Sequence, residues 1–95
     1  MAVIKGTTKS GIEYQLDSRI KDDARLLFLL TKAQKTDDLS ASGAAMMDLL
    51  KLIFGSDDGV YVFMNAVADA HKGFCDIKNM TAELTEMFEA LNAKN

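Results

Sequence analysis

Near the N-terminus, hydrophobic residues alternate with polar ones. Ile12, Tyr14 and Leu16 are separated by single polar residues, so a strand would place all three on one face. A shorter apolar run precedes them, and the polar stretch between the two runs, residues 6–11, begins and ends with glycine, as turns often do. The pattern predicts a β-hairpin over residues 1–16. Because a lone hairpin is only marginally stable in water, we expect its apolar face to pack on the rest of the chain.

Beyond Asp17 the apolar spacing changes to the three-to-four-residue interval of helices. Asp17 or Ser18 is expected to cap the first helix. That helix carries two apolar stripes, and a helix that is apolar over so much of its circumference is buried on more than one side. We therefore expect one stripe to pack on the chain itself and the other to face a partner. The first stripe contains Ile20, Ala24, Leu27, Phe28 and Thr31, and the second contains Leu26, Leu29, Leu30 and Ala33.

Three further helices are predicted from capping and stop signals. In the last of them, Glu83, Glu86 and Glu89 are expected to face water, opposite an apolar stripe that begins at Ile77. The predicted fold is α+β, a single domain over residues 1–95 with a hairpin (1–16) and a helical part (18–92). The signals are Ser42 as the start of the second helix, Gly55 as its stop, Ser56 as the next cap, Gly73 as the following stop and Asp76 as the last cap.

Composition narrows the functional classes. The net charge is −3 over 95 residues, so the chain lacks the basic footprint of a nucleic-acid-binding protein. Proline is absent, which suits a helical chain. The single cysteine precludes an intrachain disulfide and fits a reducing cytoplasm. No stretch has the pattern of a signal peptide or the ~20 apolar residues of a membrane span. We expect a cytoplasmic protein.

Four motifs were considered as sites of chemistry. His71 and Cys75 are four residues apart, but a glycine lies between them and no further Cys or His completes a zinc site. Residues 6–11 lack the glycine that precedes the lysine of a phosphate-binding loop. Asp57–Gly59 lacks the spacing of an EF-hand, and the adjacent carboxylates Asp22–Asp23 diverge on a helix. We predict no catalytic, cofactor or metal site.

The apolar residues left over from the predicted core indicate a protein interface instead. Flexible methionine at a surface favours adaptable binding, and the first helix has a surplus stripe. The predicted interface residues are Leu26, Leu29, Leu30, Met47 and Leu52.

Several segments resemble one family. Residues 11–17 (Gly-Ile-Glu-Tyr-Gln-Leu-Asp), 20–23 (Ile-Lys-Asp-Asp) and Leu26–Leu27 resemble the opening of the small tail assembly chaperones of long-tailed phages and prophages of Gram-positive bacteria. Residues 49–55 resemble the apolar helix and glycine stop of these proteins, and residues 83–89 resemble their acidic C-terminal helix. The resemblance covers nearly the whole chain in order and in size.

The resemblance implies a non-catalytic role in tail morphogenesis. Such chaperones coat the tape-measure protein, keep it soluble and recruit tail-tube subunits in the host bacterial cytoplasm, without remaining in the finished virion. The implied partners are thus the tape-measure and tail-tube proteins, with self-association, and no nucleic acid or membrane. A longer form made by ribosomal slippage is also implied, and codons for Ala93–Asn95 could supply a slippery run.

Two other classes stay open at the level of sequence. The first is a small cytoplasmic adaptor or regulatory module that also binds proteins. The second is an enzyme, which a stoichiometric metal or phosphate bound at His71 or Lys9 would indicate. A neighbouring gene for a long coiled-coil tape-measure protein would favour the chaperone.

Overall fold

A computed structural model describes residues 3–35 and 39–93, and side chains outside residues 33–42 and 93. In this part of the chain a hairpin is followed by a 3₁₀ turn and four α-helices, which confirms the predicted mainly helical α+β class. Residues 36–38 of the predicted polar connection, and the last two residues of the proposed slippery run, lie outside the described residues. The elements are β1 (Val3–Thr7), β2 (Glu13–Asp17), the 3₁₀ turn (Ser18–Asp22), α1 (Ala24–Lys35), α2 (Leu39–Phe54), α3 (Asp57–Ala70) and α4 (Ile77–Ala93).

The two strands pair antiparallel, with Ile4 opposite Leu16 and Gly6 opposite Tyr14. These positions share the inner face, because successive side chains of a strand point to opposite sides. Leu16 is almost fully buried there. A Cβ at Gly6 would lie 2.5 Å from the Tyr14 hydroxyl, so the Tyr14 ring requires glycine opposite it. The inner face predicted from the alternation in the second strand is therefore the face through which the hairpin packs on the helices.

Asp17 caps the first helical segment, as predicted, but this segment is not the beginning of one continuous helix. Instead of one helix from residue 18, the chain makes the 3₁₀ turn, extends at Asp23 and only then enters α1. The same Asp–Arg interaction occurs twice. The Asp17 carboxylate accepts the Arg19 backbone amide at 2.9 Å and also pairs with the Arg19 guanidinium. The Asp23 carboxylate makes the same two contacts with Arg25. The hydrogen bonds from the arginine side chains lower the pKa of each aspartate to about 2. Each Asp-x-Arg unit starts a new helical segment, because its carboxylate satisfies a free amide.

The remaining boundaries follow the predicted signals more closely. α2 begins at Leu39, three residues before the predicted Ser42. Ser56 caps α3, its hydroxyl accepting the Gly59 amide at 3.0 Å. Asp76 caps α4 by accepting the Asn79 amide at 3.1 Å.

The core lies where the hairpin, α2, α3 and α4 meet. The Phe54 and Phe63 rings stack at a centroid distance of 4.6 Å between the end of α2 and α3. Two predictions for α4 are wrong: Ile77 is 76 % exposed and Glu83 is 4 % exposed. Ile77 lies at the first residue of its helix, beyond the reach of the core, whereas Glu83 faces the hairpin turn. The buried cluster consists of Ile12, Leu16, Leu50, Val60, Phe63, Val67, Met80, Leu84, Met87 and Leu91.

A glycine inside α2 and the glycine that follows this helix should respond in opposite ways to alanine. Gly55 follows α2 with a φ of +86°, whereas Gly43 lies inside the helix, and no atom lies within 4 Å of a Cβ at either position. Gly55→Ala should lower the free energy of unfolding by about 1 kcal/mol, because the left-handed conformation is strained for L-residues. Gly43→Ala should raise it by about 0.5–1 kcal/mol through helix propensity. Urea unfolding measures both, and two effects of the same sign would contradict this assignment.

Candidate protein interface

The five predicted interface residues do not share one exposed surface. Leu26 is 7 % exposed and belongs to the buried residues, and Met47 is 40 % exposed. Leu29, Leu30 and Leu52 are half-buried. Leu26 thus has little area to offer a partner in this conformation of the chain.

The exposed apolar side chains of α1 belong to the other predicted stripe. Leu27 is 68 % exposed and Phe28 is 65 % exposed. They are exposed because α1 packs chiefly on α2, with further contact to the 3₁₀ turn. The stripe richer in leucine faces α2, and the stripe that also holds Ala24 and Thr31 faces outward. That difference in composition is the sequence signal that could have assigned the two stripes correctly.

The α1 face, defined here by Leu27, Phe28 and the flanking Lys32, combines apolar and basic character. The Lys32 Nζ lies 5.9 Å from the centroid of the Phe28 ring, within cation–π range. The whole helix contains three basic residues and no acidic one, although the chain carries a net charge of −3. The α1 face is therefore an apolar surface with a positive border.

A second apolar surface lies between α2 and α3. This α2–α3 crevice has a volume of about 310 Å³ and is lined by Met47, Val60, Tyr61 and Met64 together with an ion pair. The pair joins the Lys51 Nζ to the Asp57 Oδ1 at 3.5 Å. α3 contains three acidic residues and no basic one, whereas the charged residues that line the crevice itself are the paired Lys51 and Asp57.

Two further apolar side chains, Phe74 and Ile77, are exposed where α3 connects to α4. They follow a turn in which Gly73 has a φ of +85° and its amide donates to the Ala68 carbonyl at 2.7 Å. The tight turn projects this segment away from the core. It forms a third exposed apolar patch.

A cluster of polar residues around the buried Glu83 lies under the hairpin turn. The Glu83 Oε2 lies 2.8 Å from the His71 Nε2, and the Glu83 Oε1 is buried without a hydrogen-bond partner among the described residues. Thr8, also buried, accepts the Ile12 amide on its hydroxyl at 3.2 Å. On the next turn of α4, Glu86 accepts the Lys9 amide at 2.8 Å. Two carboxylates of α4 thus meet the turn that connects β1 to β2.

The electrostatics of this cluster favour an ionised carboxylate. Burial acts to raise the pKa of Glu83, but His71 and the hydroxyls of Thr8 and Ser10 outweigh it and hold the pKa below the ordinary 4.5. Sequence reasoning missed the cluster because it treated Glu83 as one of three solvent-facing glutamates. Its partners come from residues 8–10 and 71, which lie far from it along the chain.

The motifs considered for chemistry have structural explanations. His71 is engaged by Glu83, and burial followed by the charge of Asp76 raises the pKa of the Cys75 thiol, which disfavours the reactive thiolate. Residues 6–11 form the end of β1 and the hairpin turn, and Asp57 lies in the first turn of α3. Across residues 3–35 and 39–93, no group of three or more His, Cys, Asp or Glu side chains is placed to hold a metal ion.

Comparison of the chain with protein-family models, curated proteins and solved structures found no match. Among the helices in the described residues, none combines the length and the apolar character needed to cross a membrane. The apolar surfaces described above are therefore the features on which a functional proposal can rest.

Adjacent leucines of α1 provide a direct test of the two stripes. Leu26→Ala should lower the free energy of unfolding by about 2–3 kcal/mol, because it leaves a cavity against α2. Leu27→Ala removes the same atoms from an exposed position and should change the free energy of unfolding by less than about 0.5 kcal/mol. Urea denaturation of both variants provides the measurement. Equal losses would mean that Leu27 is also part of the core.

Proposed function

We propose that this chain is a tail assembly chaperone, which binds the tape-measure protein and helps recruit tail-tube subunits by protein–protein contact, without a catalytic step. Two lines support the proposal: the family resemblance of the sequence and the exposed α1 face. The observation that carries it is the pair of side chains Leu27 and Phe28, each about two-thirds exposed on a helix with one main packing neighbour. Exposed aromatic and aliphatic residues of this kind commonly mark binding surfaces.

The geometry suits a helical partner. α1 spans twelve residues, about 18 Å at the helical rise, and its exposed side chains could pack as ridges into the grooves of another helix. A tape-measure protein is a long helical rod, so many copies of one chaperone could line it through the same face. Lys32 and Arg25 at the border would orient the contact and keep the free surface hydrated.

The test is co-expression with a tape-measure protein whose gene neighbours that of this chain. The expected result is a soluble complex that is lost when Leu27 and Phe28 are both replaced by Glu, because charge would then be buried against the apolar rod. Lys78→Glu, an exposed change on α4, serves as the control for added negative charge. A tape-measure protein that stays insoluble beside the wild-type chain would refute the proposal, and so would equal activity of the double variant.

The tail-tube protein is tested in a second step. Added to the purified complex, it should co-elute with the chaperone and the tape-measure protein on size exclusion. A tube protein that elutes separately would restrict the role of the chain to solubilising the tape-measure protein.

We also propose self-association, through the α1 face of one copy and the α2–α3 crevice of the next. Both surfaces are apolar, and α1, whose charged residues are all basic, would meet a crevice with one wall on α3, whose charged residues are all acidic. Contact between two α1 faces would bring like charges together. A contact between two different surfaces repeats from copy to copy, which suits a coat along a rod.

Blocking one surface at a time tests this contact. One variant carries Leu27→Glu and Phe28→Glu, and the other carries Met47→Glu and Tyr61→Glu in the crevice. Each variant alone should be monomeric, whereas an equimolar mixture should form a one-to-one dimer, because each supplies the surface that the other lacks. Size-exclusion chromatography with light scattering measures the masses. Association of the crevice variant alone would indicate a symmetric α1 contact instead.

A further inference from the structure

A groove separates the second strand of the hairpin from α3. Two adjoining crevices form this β2–α3 groove, of about 140 Å³ and about 540 Å³, and both are lined by Ile12, Glu13 and Ala66. From the first crevice to the second, the wall on α3 passes from Gly59 to Ala70, about 16 Å at the helical rise. The groove therefore matches the length of about five residues of extended chain.

The hairpin wall of this groove is the free edge of β2. The sheet has two strands in the described residues, so β2 has a neighbouring strand on one side only. The smaller crevice is lined by four consecutive residues of the hairpin, 12–15, and by none of β1. A crevice on one face of the hairpin would be lined by alternate residues of both strands, so this crevice lies beside the edge.

Alternate residues of β2 direct their backbone groups into the groove. The Thr8 amide donates to the Ile12 carbonyl at 2.9 Å, which makes these two residues a hydrogen-bonded pair. Such pairs alternate along an antiparallel ladder, so the pairs two and four positions further along the register are hydrogen-bonded as well. The amides and carbonyls of Glu13 and Gln15 therefore point away from β1, and among the described residues no backbone group of another element bonds them.

The wall on α3 is apolar and consists largely of small residues. Gly59, Val62, Ala66 and Ala70 lie on one side of the helix, because they recur at intervals of three and four residues. Val62 is 67 % exposed although it is apolar. The hairpin strand that packs most closely on a helix is β1, which contacts α4, so β2 and α3 leave space between them. An extended chain can thus bond to the edge of β2 while its side chains pack against α3.

The charges of the groove favour one kind of occupant. Among the described residues, the charged side chains that line it are Glu13 and Asp69, with no lysine or arginine. A second β2 would bring further carboxylates, because this strand contains Glu13 and Asp17 and no base, and like charges on paired strands are destabilising. The β1 strand of a second copy carries α4 against it, and α3 already bounds the groove. A single strand with a basic residue fits both the space and the charge.

We propose that the β2–α3 groove binds an extended segment of a partner protein, which adds a third strand to the hairpin by pairing antiparallel to β2. Antiparallel pairing is the more stable arrangement, and it places the C-terminal end of the segment beside Glu13 and Asp69, where a basic residue meets both carboxylates. Alternate apolar side chains of the segment pack on α3. The groove is separate from the α1 face and from the α2–α3 crevice, since the crevice uses Val60, Tyr61 and Met64 on another side of α3.

A designed peptide is the probe for this site. The sequence Val-Thr-Val-Thr-Val-Arg, acetylated and amidated at its ends, alternates apolar and polar side chains and ends in a base. Added at about 1 mM, it should shift the NMR amide signals of Glu13, Gln15 and Ala66. It should also slow hydrogen exchange at Glu13 and Gln15 by about threefold or more, because their amides become bonded. The amides of Tyr14 and Leu16, which already bond to β1, should exchange at the same rate with and without the peptide.

Exchange of charge tests the orientation of the segment. Asp69→Lys should weaken binding of the arginine peptide about fivefold, and strengthen binding of the same peptide ending in Glu by a similar factor. The helix dipole favours a base in this last turn of α3, so the variant should fold. Glu89→Lys makes the same change of charge at an exposed position on α4. It is the control and should leave both affinities unchanged within about twofold.

Each other outcome would overturn the proposal in a recognisable way. Unchanged amides at Glu13 and Gln15 in the presence of the peptide would mean that the edge of β2 does not accept a strand. Shifts confined to α3 would indicate an apolar pocket without strand pairing. Equal effects of the two lysine variants would contradict the antiparallel orientation. Protection of Glu13 and Gln15 that increases with the concentration of the chain alone would identify a second copy as the occupant.

Discussion

The arrangement of this protein depends on α1 having one main packing neighbour. The core is shared among the hairpin, α2, α3 and α4, and among the side chains that the structure describes its buried cluster contains none from α1. α1 instead lies on the outside of α2, where Leu26 is buried and Leu27 and Phe28 face outward. A helix with apolar residues on two sides and support on one retains an unsatisfied hydrophobic surface. That surface, with its basic border, is the physical basis of the proposed chaperone role.

The buried Glu83 imposes the second constraint. A carboxylate removed from water must find hydrogen bonds or a charged partner. His71 provides one at the end of α3 through the Glu83 Oε2, whereas the Oε1 is buried without a hydrogen-bond partner among the described residues. The hairpin is thus attached at two different kinds of contact: apolar side chains such as Leu16 on its inner face, and polar bonds at its turn. The polar contact at the turn is the bond from the Lys9 amide to the Glu86 Oε2.

Charge is distributed unevenly over the surface, and this distribution relates the two proposed contacts. α1 is basic and α3 acidic, although each exposes large apolar side chains. The apolar area would supply most of the binding energy, while opposite charges would select which surfaces meet and in which orientation. Several polar residues of the chain have structural roles: Asp17 and Asp23 begin helical segments, and Ser56 and Asp76 cap α3 and α4.

Local signals in the sequence were enough to determine the hairpin, the caps of α3 and α4, and the stop at Gly55, because each of these features depends on residues a few positions apart. They were not enough for the rest. Two Asp-x-Arg units interrupt the first predicted helix, since their side chains compete with a continuous helical ladder. Which stripe of α1 is buried depends on where α2 lies, and Glu83 is buried because a distant turn folds over it. Periodicity shows that a helix has an apolar face, but only the tertiary structure decides what covers that face, because burial is set by neighbours that are remote in sequence.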